Sequence, residues 1–136
     1  MDVTSIPFNR LIGLRADGAT LCLPAGPDYQ NHLGTVHASA QFALAEAASG
    51  QWLLSRFGAE AGGNVAVVRR ADVKFRKPAT GELTAQAEVA PDEAERFLDT
   101  LSRRGRAAIE VQVRLLDAGG AVTLEASFEW FAQRSR

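Results

Sequence analysis

The chain has 136 residues, 46% hydrophobic and 23% charged, and its 15 basic and 16 acidic side chains leave a formal net charge of −1. That length suits one ordinary domain, residues 1–136, and the near-neutral balance offers no global polycation for nucleic acid. The lone Cys22 excludes an internal disulfide or a Cys-rich zinc site and reads as a core residue, and no apolar run reaches membrane-spanning length.

The opening ten residues lack the basic and apolar regions of a signal peptide, so the expected compartment is cytoplasmic. Residues 18–24 (GATLCLP) alternate as a strand, and 25–30 (AGPDYQ) form a loop by their Gly and Pro. From 38 to 57 the residues are mostly Ala, Leu, Phe and Trp, with no Pro and only Gly50 to weaken a helix of roughly 30 Å. A helix so apolar on all sides is expected to be buried, with Phe42, Trp52 and Phe57 in the core. Residues 58–64 contain three Gly and break it.

Four strands are expected to follow. In the first, Val65, Val67, Ala71, Val73 and Phe75 share one face, with Arg69 the exception, and Arg70, Asp72, Lys74 and Arg76 take the other until Pro78 ends the strand. Leu83, Ala85, Ala87 and Val89 alternate with polar neighbours, as in a sheet with one wet side. Residues 91–104 (PDEAERFLDTLSRR) place Pro first, acids in the opening turn and arginines in the closing turn, which is helix-start and helix-stop chemistry. Two more apolar rows follow, Ala107, Ile109, Val111, Val113, Leu115 and then Val122, Leu124, Ala126, Phe128, Trp130, joined by a DAGG hairpin turn. The fold class predicted is α+β, one curved antiparallel sheet packed around the Ala-rich helix, whose small side chains permit a close approach.

The chemically versatile groups concentrate at 31–50 (NHLGTVHASAQFALAEAASG): Asn31 and His37 lead into the helix and Glu46 lies on it. A carboxylate in the middle of a buried helix loses hydration, which calls for a partner or a functional role. A structural ion pair with Arg69 is one such partner. His37 reads equally as a helix cap and as a proton carrier, and Asn31 as a turn residue or a site residue.

A long helix wrapped by an antiparallel sheet, entered through N-H-x-G-T-V-H-A and carrying an acid nine residues after the second His, resembles the hotdog-fold acyl-CoA thioesterases of the phenylacetate-pathway and 4-hydroxybenzoyl-CoA type. The resemblance implies that Asn31 positions the thioester or the attacking water, that His37 opens the helix, and that Glu46 acts as base or nucleophile. It also implies that the amide after His37 polarises the thioester carbonyl. Family members commonly have Gly there and this chain has Ala38, whose amide serves provided the backbone angles suit a Cβ. No metal or cofactor is implied.

The substrate so implied, an acyl-CoA, carries phosphates. The run 69–77 (RRADVKFRK) supplies Arg69, Arg70, Arg76 and Lys77, and Arg103, Arg104 and Arg106 form a second candidate cluster, although basic runs also serve as solvated edge strands. Two other functions compete. His32 precedes Glu46 by fourteen residues, a spacing similar to that of hotdog hydroxyacyl-thioester dehydratases, though those are Pro-rich between the two residues and this chain is not. A non-catalytic acyl-CoA binder is the third class. A single sheet with one helix leaves an exposed edge and a one-walled cleft, so a homodimer or dimer of dimers is expected, joined in the family through the strand after the helix.

Overall fold

The computed structural model describes residues 2–57 and 63–135, the Phe57 side chain excepted. The glycine-rich break expected over 58–64 lies, as far as Gly62, outside the described residues, and so does the core placement expected of Phe57.

The N-terminal residues make a 3-10 turn, Val3–Ser5, and a short helix α1, Pro7–Leu11, with Pro7 at its first position. Strands β1 (Arg15–Asp17) and β2 (Thr20–Leu23) form a small hairpin, and a 3-10 turn at Pro27–Tyr29 leads toward the long helix α2, Ala38–Phe57. Then come β3 (Asn64–Phe75), β4 (Leu83–Glu88), helix α3 (Pro91–Arg104), β5 (Arg106–Leu116) and β6 (Val122–Arg134). All six strands form one antiparallel sheet in the order β1-β2-β4-β5-β6-β3. This is the α+β arrangement anticipated, a sheet curved around one long helix.

Alternation places the core. On β5, Ala107, Ile109, Val111, Val113 and Leu115 are all buried, and on β6 so are Leu124, Ala126, Phe128, Trp130 and Ala132. Helix α2 answers with Ala43, Leu44, Ala45, Ala47, Ala48 and Leu53, mostly small residues that let the sheet close on the helix. Two buried polar pairs link helix to sheet: Thr123 Oγ1 donates to Gln41 Oε1 at 3.1 Å, and Trp130 Nε1 donates to Ser49 Oγ at 2.9 Å. Helix α3 covers part of β5 with Phe97 and Leu101, and Gly105 ends it in the left-handed region at φ 74°.

Strand β3 corrects the single-face expectation. A bulge between Val68 and Arg70 leaves Arg69 without a register partner, so the apolar side changes parity there. Before the bulge Ala66 and Val68 pair with the buried Ala132 and Trp130; after it Ala71, Val73 and Phe75 pair with the buried Phe128, Ala126 and Leu124. Val65 and Val67, assigned from alternation to the same face as Ala71, lie instead on the opposite face, 59% and 60% exposed. Strand β3 is also an edge. Of its 12 residues all but Arg69 pair with β6 on one side, and the other side has no strand among the described residues.

The burial expected all round α2 is incomplete as well. Phe42 is 38% exposed, Ser39 is exposed and Glu46 is half-buried, so one stripe of the helix at positions 39, 42 and 46 stays open.

Candidate active site

The open stripe of α2 begins at the loop that delivers the chain into it. Asn31 Oδ1 accepts the amides of Leu33 at 2.9 Å and Thr35 at 3.1 Å, and its Nδ2 donates to Thr35 Oγ1 at 2.8 Å. Gly34, at φ 78°, supplies the bend. The loop is tied down by Val36 N–H donating to Ala79 O at 2.8 Å and His37 N–H donating to Tyr29 O at 2.7 Å. Asn31 therefore holds the loop together, with both of its polar atoms engaged.

His37 stands immediately before the first helical residue. Its Nδ1 accepts the Ser39 amide at 2.9 Å, satisfying one of the donors that the first turn of any helix leaves over. The Ala38 amide has no acceptor among the described residues. No described non-glycine residue has a positive φ, so the Cβ of Ala38 brings no strain and the amide remains available.

Glu46 lies eight residues further along, roughly 12 Å of helix rise. No donor or cation among the described residues reaches its carboxylate, and burial alone pushes its pKa above the ordinary carboxylate value. The ion pair with Arg69 considered from sequence is absent, because Arg69 pairs across the strands with Glu129 and lies 5.4 Å over the Phe131 ring. Ser49 Oγ donates to the Glu46 carbonyl at 2.6 Å, which links this turn of helix to Trp130.

Glu46 borders two cavities. One is an open groove of about 550 Å³ whose lining includes Ala38, Ser39, Phe42 and Glu46 of α2, together with Phe8 and Phe75. The other, about 320 Å³, is more enclosed and is lined by Val3, Ile6, Asn9, Leu53, Ala66 and Trp130 among others, with Glu46 again in its wall. The groove thus brings together Glu46 and Ala38, while Asn31 and His37 shape the helix entrance. Neither His32, which is exposed, nor Cys22, which is buried, lines either cavity. Reasoning from sequence missed the N-terminal contribution of Val3, Ile6 and Phe8; the signal available was the apolar spacing of Val3 and Ile6 ahead of a Pro-initiated turn.

The candidate cations separate by partner. Arg76 binds Glu125 through Nε at 2.9 Å and through its terminal nitrogen at 2.7 Å, Lys77 reaches Asp117 at 3.2 Å, and Arg103 reaches Asp99 at 2.9 Å. Together with Arg69 these four are engaged in surface pairs. Arg70, Arg104 and Arg106 have no side-chain ion pair among the described residues. No described group of three His, Cys, Asp or Glu side chains is arranged to hold a metal, and no described helix is long and apolar enough to cross a membrane.

Residues 8–132 match the model of a family described as a domain of unknown function, DUF4442. Among solved structures the chain is similar to a Pseudomonas aeruginosa protein of unknown function described as a probable thioesterase, at 26% identity and a TM-score of 0.84, covering 98% of this chain and 91% of that one. It is also similar to a Bacillus halodurans protein solved with CoA, at 20% identity and a TM-score of 0.71, covering 92% and 74%. A Ralstonia eutropha protein named as related to phenylacetic acid degradation shares 18% identity and a TM-score of 0.67, covering 93% and 89%. No curated protein matches the sequence.

Proposed function

The chain belongs to the DUF4442 family and has the hotdog fold of a thioesterase family, and from that premise we propose that it is an acyl-CoA thioesterase, hydrolysing a thioester to a free carboxylic acid and CoA. The observation that carries the proposal is Glu46: a half-buried carboxylate with no partner among the described residues, bordering the same groove as the unpaired Ala38 amide. A structural carboxylate at such a depth would be held by a cation or by donors.

In this reading the acyl carbonyl lies in the groove with its oxygen toward the start of α2. The Ala38 N–H and the positive end of the helix stabilise the oxyanion that develops there. Glu46 takes a proton from water as the water oxygen bonds to the acyl carbon. The tetrahedral intermediate then expels the sulfur, the C–S bond breaks, and the proton passes to the CoA thiolate. Burial suits Glu46 to this work by raising its basicity toward the working pH. Asn31 and His37 act as positioning residues, fixing the loop and the first turn from which the Ala38 amide is presented.

The open groove also suggests the assembly. Phe8, Phe42 and Phe75 are 59%, 38% and 48% exposed around it, beside the unpaired edge of β3. A second copy joined along β3 would satisfy that edge, cover these rings and supply the missing wall of the groove. Of the two candidate basic clusters, Arg70, Arg104 and Arg106 are the members that could take CoA phosphates without breaking an existing ion pair.

Thiol release measured across a panel of acyl-CoAs tests the proposal. Turnover of at least one thioester well above the uncatalysed rate is expected. Tight acyl-CoA binding with no release would mark a binding protein instead, and hydration of enoyl thioesters in the absence of hydrolysis would mark a dehydratase.

A further inference from the structure

The more enclosed cavity beside Glu46 differs from the groove in its shelter from solvent, since apolar side chains dominate the lining of both. Its walls are largely apolar, and no Lys, Arg or His among the described residues lines it. The N-terminal segment contributes Val3, 3% exposed, and Ile6, while Leu53 and Leu54 come from α2 and Ala66 from β3. The segment is fastened in place: buried Asn9 of α1 donates through Nδ2 to Val3 O at 3.0 Å. The opposite wall is equally fixed. Gly50 packs against Trp130 so closely that an added Cβ would meet the indole at 3.3 Å, and the ring is anchored by its bond to Ser49.

Glu46 borders both spaces, so a thioester carbon beside it has the open groove on one side and the enclosed cavity on the other. The pantetheine arm joins the thioester to the solvated nucleotide of CoA, so it needs the open path that the groove offers, whereas the acyl end can be enclosed. Resting on the thioesterase reading, we propose that the enclosed cavity takes the acyl group, an uncharged apolar chain or ring of medium length, and that the N-terminal residues Val3 and Ile6 set its limit.

The size and lining define the substrate class. An apolar protein cavity of about 150 Å³ holds one six-carbon benzene ring. The 320 Å³ here would then hold on the order of eight to twelve acyl carbons. An acyl group ending in a second carboxylate would lose its hydration with no cation among the described lining residues to replace it. Dicarboxylic thioesters are therefore poor substrates.

The experiment measures kcat/KM for saturated acyl-CoAs from acetyl to palmitoyl, for wild type, Ile6→Trp and Ile6→Ala, with decanoate binding by calorimetry alongside. In wild type, kcat/KM rises about fourfold per methylene, the worth of burying one CH2, and stops rising within the eight-to-twelve-carbon range. Ile6→Trp moves the optimum to shorter chains and Ile6→Ala to longer ones. A flat chain-length profile, or equal losses at every length in both variants, overturns the acyl-cavity proposal while leaving thioester hydrolysis standing. If wild type hydrolyses no thioester, the catalytic reading fails separately. The cavity is then judged by calorimetry: decanoate binding weakened by Ile6→Trp sustains an acyl site there, and absence of binding removes it.

Discussion

Replacing Ser49 by Ala tests whether the turn of helix that carries Glu46 is held by the sheet. Ser49 is fully buried, and its Oγ accepts the Trp130 indole N–H at 2.9 Å while donating to the Glu46 carbonyl at 2.6 Å. In Ser49→Ala the indole N–H, on a residue only 9% exposed, loses its acceptor. An orphaned buried donor costs about 1–3 kcal/mol. Trp130→Phe removes the donor instead and shrinks the ring, so it loses roughly 1 kcal/mol of hydrogen bond together with packing against Gly50. Combining the two leaves no orphan. The double variant should therefore be more stable than the sum of the single losses predicts, by about 1–2 kcal/mol. Urea unfolding followed by circular dichroism reads this cycle directly, and in thermal melts each kcal/mol lowers Tm by roughly 3–5 °C for a chain of this length. Losses that add to within about 0.3 kcal/mol, or a Ser49→Ala variant as stable as wild type, would refute the claim that this bond joins α2 to β6.

Light scattering at micromolar concentration should give at least twice the 14.6 kDa chain mass, and an active species of the single-chain mass would refute the shared groove. Arg70→Ala should raise KM for CoA thioesters about fivefold, an effect that salt mimics, while sparing short pantetheine thioesters; Arg76→Ala, whose guanidinium already holds Glu125, should leave both nearly unchanged. Equal effects of Arg70→Ala on the two substrates would assign that arginine to folding or assembly. His37→Ala should lose about 1 kcal/mol of stability with the cap to Ser39, whereas His37→Ser, which retains a capping oxygen, should recover most of that loss and keep kcat within a few-fold of wild type. A stable His37→Ser enzyme with kcat reduced on the order of 10²-fold would instead make His37 a proton carrier.

Where one physical requirement dominates a stretch of sequence, that stretch was legible in advance. The apolar rows of β5 and β6 follow the two-residue period because one sheet face is buried, and α2 spans the Pro-free Ala-rich segment that simple propensity selects. The same logic picked out Glu46, since a carboxylate within so apolar a helix needs explaining. Strand β3 defeated it. A bulge inserts one residue without any change of composition, so alternation carried past Arg69 assigns Val65 and Val67 to the wrong face. The basic run was visible, but its pairing was not, because Glu129, Glu125 and Asp117 come from elsewhere in the chain, within β6 and the hairpin before it. The N-terminal walls of both cavities were missed for a related reason: short turns have too few residues for periodicity to show, and which cavity they border depends on tertiary packing.

The central claim is that Glu46 is the base, and the pH profile of kcat/KM for wild type and Glu46→Gln on the best thioester tests it most directly. Burial raises the Glu46 carboxyl above its ordinary value, so the active carboxylate accumulates, and the wild-type rate climbs, as pH rises through that displaced ionisation. Ionising Glu46 in the folded protein also costs stability on that limb and nothing below the ordinary carboxylate pKa, so the Gln variant should melt no lower than wild type at pH 8. A folded Glu46→Gln enzyme should lose on the order of 10²-fold or more in kcat together with the rising limb. Wild-type kcat in that variant, or a wild-type limb that persists in it, would contradict the mechanism.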